Sequence, residues 1–481
     1  MSSRHTYIHT YIQFFLFSFV VLLFLSPDSY VREPFGKNDS AWFFTCGKAF
    51  MEGMTPYVDF ADSKEILLWL IYGIGYLLSP TTYHGVFWLS VIAYSVTFMF
   101  VWRIAKLFLN DRGALFSLVI MSCILFCRAY HKEVRAEDFC MPWLVISLYF
   151  TCKLLAKDYT LKELKKGAFW IGLSMMVCLL IKWNYFVLLG GVALVIVKLS
   201  IDKRSWTGIL YGLLGMLTLA LPFMIYFIIQ GNFNAFIQEY FITTFNITYA
   251  NTDQLYKPST RKIIVTDVTL VMLYISIWYF CRKKQVSYWL CLVFLPFFLF
   301  YVLLMPFNYY YAIAAPFFLF PLIILLDRKS RSINKLSQTK TALYLTIILI
   351  PGLGVSLRPW DFTGSGNPYG LCRYYTIQKV LAKKDKPLVI FGGTDFGEGL
   401  LANALPGCKY WALQNCPTKQ MLEDRINAIR ERKPDFVINP KDTPRAIEEE
   451  FLHQNGYYQV SAPITYQGKT EIVKLPVYAR R

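Results

Sequence analysis

Charge is scarce in this chain. Asp, Glu, Lys and Arg make up 17% of its 481 residues, against about 25% in ordinary soluble domains. That excludes a conventional soluble enzyme. Histidine is rarer still, at five residues. The eleven cysteines form no CxxC pair and no Cys/His spacing of a zinc site, so the sequence offers no zinc or thiol redox motif. Acid is in deficit as well: 31 Asp and Glu face 49 Lys and Arg, a net charge of +18. Such an excess suits nucleic acid, but here the basic residues fall in short clusters between apolar runs. That is how membrane proteins mark their cytoplasmic loops, and it argues against a nucleic-acid partner.

What the chain has in excess is apolar surface, with 56% hydrophobic and 18% aromatic residues. Many apolar runs approach the ~20 residues that cross a bilayer as a helix. Spans are expected near 9–26, 84–102, 113–128, 139–155, 168–182, 185–199, 207–230, 263–281, 287–304, 309–326 and 341–355. The run at 65–80 is apolar but short, with two glycines. If it does not cross, and the N-terminus is cytoplasmic, the clusters around Arg103, Lys165, Lys203, Lys283 and Lys329 all lie inside. If it does cross, all of them move outside, against the positive-inside rule. The expectation is a polytopic helical membrane protein of about eleven spans, with 65–80 juxtamembrane or re-entrant.

The C-terminal region changes character. "KPLVIFGGTDFGEGLLANAL" reads as a strand, a glycine-rich turn and a helix; "QMLEDRINAIRERKPDFVINP" reads as an amphipathic helix and a strand. Residues 356–481 are therefore expected to form a small extracytoplasmic α/β domain beside a membrane domain of residues 1–355.

Ionisable groups at the outer margin of a membrane are costly and point to function. The first external loop, 27–83, holds Asp39, Asp59 and the pair Lys64-Glu65. Asp39 is also placed to start an amphipathic helix, "AWFFTCGKAFMEG", and the two roles are compatible. The loop "CRAYHKEVRAEDF" holds His131, Lys132, Arg135, Glu137 and Asp138. Lys182 interrupts "CLLIKWNYFVLLGG", and "MPFNYYYAIAAPFF" sets Tyr309 and Tyr310 at another outer helix end. Carboxylates from two loops and cations from several helix ends suit a lipid-linked phosphate substrate. The cations hold the phosphate while a carboxylate deprotonates an incoming hydroxyl.

With those residues in hand, the chain resembles the GT-C membrane glycosyltransferases, in the branch of the protein O-mannosyltransferases and the lipid A aminoarabinose transferase. The resemblance covers the order of elements over residues 1–355 and is concentrated in the first 140. An early acidic residue matches Asp39, followed here by Ser40 rather than an acid. A "G…PY.D" stretch matches "EGMTPYVD", with Asp59, and a Lys-Pro pair matches Lys64-Glu65. The resemblance implies Asp39 as base and Glu137 or Asp138 as a second acid. It implies Lys64, Arg135 and Lys182 as ligands of the donor phosphate. Asp59, His131, Lys132, Tyr309 and Tyr310 are candidate substrate contacts. The aromatic segment 233–250 resembles the mobile external loop of that family. A metal-binding Glu of the aminoarabinose transferase is replaced here by Ser63, which leaves a divalent metal open.

The implied function is a hexosyl- or pentosyltransferase of the plasma (inner) membrane. It would move a sugar from a polyprenyl-phosphate donor to a lipid, glycan or protein acceptor on the outer face, with inversion. Two other classes stand beside it. A transporter or flippase of lipid-linked sugars places charge near the midplane and often shows paired repeats; here charge gathers at one side and no repeat is seen. A polysaccharide polymerase or ligase has its large outer loop between late spans; here the large outer loop is the first.

Overall fold

The computed structural model describes residues 2–26, 28–31, 39–62, 64–126, 134–156, 158–244, 260–304, 311–356, 368–393, 397–412, 418–440 and 446–481. The first ten longer helices are α1 (Ser2–Leu25), α2 (Asp39–Met51), α3 (Ile66–Leu78), α4 (His84–Lys106), α5 (Asp111–Leu125), α6 (Ala136–Ala156), α7 (Leu161–Leu179), α8 (Trp183–Leu188), α9 (Gly190–Asp202) and α10 (Thr207–Ile229). Helices Thr260–Lys284, Trp289–Leu304, Leu319–Arg328 and Gln338–Ser356 follow. Most of the expected spans fall on helices, but 309–326 is broken among the described residues into a short helix Tyr311–Ala314, a 3-10 turn Ala315–Phe318 and the helix Leu319–Arg328. Among the described residues, length and hydropathy single out four that can cross a bilayer: α4, α6, the combined stretch Trp183–Asp202, and α10. The expected count of eleven is not reached by that measure. At 13 residues, α3 is about 20 Å long at 1.5 Å per residue, short of the ~30 Å hydrocarbon core.

Local chemistry sets the helix ends. Thr160 and Glu163 form a reciprocal capping box at the start of α7. Asn110 caps α5, its side-chain oxygen accepting from Gly113 N at 2.8 Å. α10 is apolar along its length, yet only 11% of its most apolar window is buried. An exposed apolar helix of this kind suits lipid contact.

By contacts the chain divides into two compact units. The first holds residues 1–26, 90–223 and 256–358. In it a Cβ added to Gly172 of α7 would lie 1.9 Å from Gly212 O of α10. Only glycine allows that approach, a small-residue seam common between membrane helices.

The second unit holds residues 27–89, 224–255 and 359–481. In it α2 and α3 pack closely: a Cβ on Gly47 would meet Gly73 N at 2.5 Å and Trp69 O at 2.8 Å. One of the two glycines in the 65–80 run is thus a packing requirement. α2 was expected to be amphipathic. Instead every residue from Ser40 to Ala49 is buried, because α2 meets neighbours on all its faces.

The second unit ends in a five-stranded sheet ordered β2-β1-β3-β5-β4. Its strands are β1 (Leu388–Phe391), β2 (Leu405–Pro406), β3 (Phe436–Ile438), β4 (Tyr457–Tyr466) and β5 (Lys469–Arg480). β1 runs parallel to β2 and β3; β5 runs antiparallel to β3 and β4. Ile390, Ile429, Val437, Leu452 and Tyr478 form its core. Helix Lys419–Arg430 and strand β3 fall where the sequence put them. The helix expected after the glycine-rich turn is absent among the described residues: 397–403 are turns. Gly397 and Asn403 take positive φ, +94° and 58°, and Ala404 N donates to Gly399 O. That folds the segment back into β2.

Candidate functional site

The candidate residues fall into two groups, one in each unit. In the second unit Asp39 is the first residue of α2, where a carboxylate is favoured by the helix dipole. Lys64 lies 5.9 Å from the centre of the Phe43 ring, within cation–π reach. The PYVD stretch is a tight turn. Tyr57 adopts φ 64°, Tyr57 N donates to Phe60 O at 2.8 Å, and Asp59 Oδ2 accepts from Thr55 N at 2.7 Å. Asp59 thus closes the turn, whatever else it does.

Glu65 was paired with Lys64 in sequence, but its environment was not foreseen. It is fully buried and caps α3, accepting from Ile66 N at 3.2 Å. The Tyr57 hydroxyl donates to the same Oε2 at 2.9 Å. Its Oε1 has no partner among the described residues. Burial pushes this carboxyl well above its usual value of 4.5, with the two hydrogen bonds pulling the other way. The group is packed under aromatics: Tyr57 lies 4.9 Å from Trp69 and 5.8 Å from Phe236, ring to ring. Glu65 is therefore a buried carboxyl, its pKa raised, inside an aromatic wall. Its only sequence signal is a glutamate opening a wholly apolar helix.

The start of the expected mobile segment is a short helix, Phe233–Phe236, followed by a π-helix, Ile237–Thr243. π-helical turns are rare and often mark functional positions. Glu239 lies on it, buried, and accepts from Lys409 Nζ at 2.6 Å and from the Tyr410 hydroxyl at 2.8 Å. Asn232 Nδ2 donates to Pro56 O at 3.0 Å, and Ala61 N to Lys409 O at 3.0 Å. Glu52 is held similarly, by Lys386 at 2.5 Å and the Tyr76 hydroxyl at 2.5 Å. Lys386 beside it, then Tyr76, hold that carboxyl below its usual value. These ties join residues 52–76, segment 232–243 and residues 386–410 of the C-terminal part. Residues 245–250 of the segment lie outside the described residues.

In the first unit Arg135, Glu137 and Asp138 start α6. Asp138 Oδ2 accepts from Arg135 N at 2.7 Å, and its Oδ1 accepts from the Tyr94 hydroxyl at 2.5 Å. This is the acidic half of a capping box. Glu137 instead makes an ion pair with Lys182. Glu137 and Lys182 are each only 5% exposed. Lys182 immediately precedes α8 in extended conformation. The hydroxyl of Tyr185, one turn on, is buried without a partner among the described residues. His131, Lys132, Tyr309 and Tyr310 lie outside the described residues. Among the described residues no group of three His, Cys, Asp or Glu is placed to hold a metal. Ser63 is outside them.

Comparison with known proteins follows from this geometry. The dolichyl-phosphate-mannose-protein mannosyltransferase family matches residues 66–227. Sequence comparison with curated proteins finds no match. Among solved structures, the chain resembles ArnT from Cupriavidus metallidurans bound to undecaprenyl phosphate. The identity is 12%, the TM-score 0.65, and 97% of each chain is covered. It also resembles the apo state of that protein, at 11% identity and TM-score 0.61, over 99% of this chain and 98% of that one. The matched segment and the likeness over the whole length agree with the resemblance drawn from the sequence: this chain has the fold of the GT-C membrane glycosyltransferases.

Proposed function

We propose that the chain is a membrane glycosyltransferase that takes its sugar from a polyprenyl-phosphate carrier. The observation that supports this most is the likeness, over 97% of both chains, to a protein solved with undecaprenyl phosphate. The match of residues 66–227 to a family named for a dolichyl-phosphate sugar donor agrees with it. The reaction is written with inversion. Asp39 takes the proton of the acceptor hydroxyl as its oxygen attacks the anomeric carbon. The bond from that carbon to the phosphate oxygen breaks, and polyprenyl phosphate leaves. Lys64, Arg135 and Lys182 neutralise the departing phosphate, where fixed charge in a dry site has most effect.

Of the two acids on α6, Glu137 suits the second role. Both oxygens of Asp138 are engaged by Arg135 N and the Tyr94 hydroxyl, so Asp138 holds the helix start. Glu137 faces Lys182 and orients that cation. Asp59, His131, Lys132, Tyr309 and Tyr310 remain proposed substrate contacts. The orientation follows the charge rule: N-terminus cytoplasmic, active site and residues 356–481 on the outer face.

Asp39→Asn tests the base. It preserves the size of the side chain at the start of α2 while removing proton acceptance. Transfer from a polyprenyl-phosphate sugar should fall about 100-fold or more, with unfolding unchanged. Full retained transfer rules out Asp39 as base. Orientation is tested by cysteine labelling at Tyr83, expected outside, and Lys165, expected inside.

A further inference from the structure

The helix Pro368–Leu381 lies against strand β4 in the C-terminal part of the second unit. Between them runs a groove of about 470 Å³, within the range of small-ligand sites. Its helix side is one stripe, Tyr375, Thr376, Lys379, Val380 and Lys383; Pro463 stands on the strand side. Among the described residues no acidic side chain lines it. Lys379 and Lys383 are exposed and make no ion pair among the described residues. The neighbouring Lys384, by contrast, is engaged with Asp435.

Two unneutralised ammonium groups one turn apart mark the site for negative charge. Val380, Pro463 and the Tyr375 ring supply an apolar floor, and Thr376 a hydroxyl. A bare ion needs no such floor, and exposed lysines alone bind weakly. A ring that presents C–H faces to the floor and an anionic substituent to the lysines uses both features. We propose that this groove binds an anionic saccharide, the carboxylated sugar portion of the acceptor. The proposal rests on the glycosyltransferase reading for its biological role. The groove's binding does not depend on Asp39 or on the donor.

Calorimetry on the detergent-solubilised full chain tests it with three probes: tetragalacturonate, maltotetraose and inorganic phosphate. Tetragalacturonate should bind one to one, about ten-fold more weakly in Lys379→Glu/Lys383→Glu, as two repulsive charges replace two attractive ones. It should weaken with salt in the wild type. Maltotetraose and phosphate should bind far more weakly. Lys379→Ala/Lys383→Ala repeats the test without charge reversal, and unchanged melting shows that each variant is folded. Absence of tetragalacturonate binding, equal binding of maltotetraose or phosphate, or indifference to both variants overturns the proposal. So does displacement of tetragalacturonate by equimolar phosphatidylglycerol, which assigns the groove to a lipid headgroup. Loss of transfer in Asp39→Asn with binding intact separates this site from the transfer reaction. If binding fails while Asp39→Asn still abolishes transfer, only the groove is wrong.

Discussion

Glu137 and Glu65 both stand at the start of an apolar helix, both are buried, and the fold treats them in opposite ways. In the first unit Glu137 is given a cation, Lys182. In the second, Glu65 is given a tyrosine hydroxyl and a backbone N–H, with no cation paired to it among the described residues, and burial raises its pKa well above the usual value. A buried carboxyl has two ways to avoid an uncompensated charge: pair it or protonate it. The paired acid keeps a charged lysine poised in an otherwise apolar interior, which suits a phosphate ligand. The buried Glu65 carboxyl fixes the PYVD turn to α3.

The contrast can be broken most strongly at Lys182. Lys182→Met leaves Glu137 buried beside no cation and should destabilise the first unit by about 3–5 kcal/mol. Glu137→Gln/Lys182→Met should recover most of that, since removing both partners removes the uncompensated charge. Thermal unfolding of the three proteins checks it; equal losses for single and double variants contradict the pairing. At Glu65 the expected effects are smaller. Glu65→Ala orphans the Tyr57 hydroxyl and should cost about 1–3 kcal/mol. Glu65→Gln, close in shape to a neutral acid, should cost less than half of that by the same measurement. A large loss in Glu65→Gln would mean that the proton, or the charge, matters more than the shape.

Glu65 and Glu52 differ in pH dependence. The folded-state carboxyl of Glu65 lies above its usual value of 4.5. Its stabilising contribution is therefore complete below 4.5 and is lost as pH rises from there through the raised value. Stability of wild type measured against pH should carry this falling contribution, and Glu65→Gln should lack it. Glu52 runs the other way. Lys386 and Tyr76 hold it low, so its contribution is present above 4.5 and is lost as pH falls through its folded value. Glu52→Gln should flatten the acid side of the profile. A further effect is expected at Glu239. Glu239→Gln keeps the size of the group but weakens charge-assisted bonds to Lys409 and Tyr410, at about 1.5 kcal/mol. Hydrogen exchange along 232–243 is the sensitive readout, and no change there would show that the tie to Lys409 does not hold the π-helix.

Much of the helical architecture was legible, because apolar runs in a chain with so little charge leave few alternatives to helices. The shortness of α3 was legible too, since length is a property of the run itself. The failures have local causes. "EGLLANAL" has helical residues, but left-handed Gly397 and Asn403 and the pairing of β2 with β1 prevail over propensity. "AWFFTCGKAFMEG" alternates polar and apolar residues, yet polar Thr45 and Lys48 are buried with the rest. The choice between Glu137 and Asp138 was illegible because adjacent residues on a helix point about 100° apart. Only the positions of Tyr94 and Lys182, forty-odd residues away, separate their roles.

The sequence by itself determined that this is a membrane chain with acids and cations gathered near helix ends. Composition, run length and charge placement are additive along the chain and need no coordinates. It also carried the resemblance that the fold bears out. Tertiary structure alone decided the partners of each acid. A hydrogen bond or ion pair needs atoms within a few ångströms, and for Glu65, Glu137 and Glu239 those partners come from 8, 45 and 170 residues away.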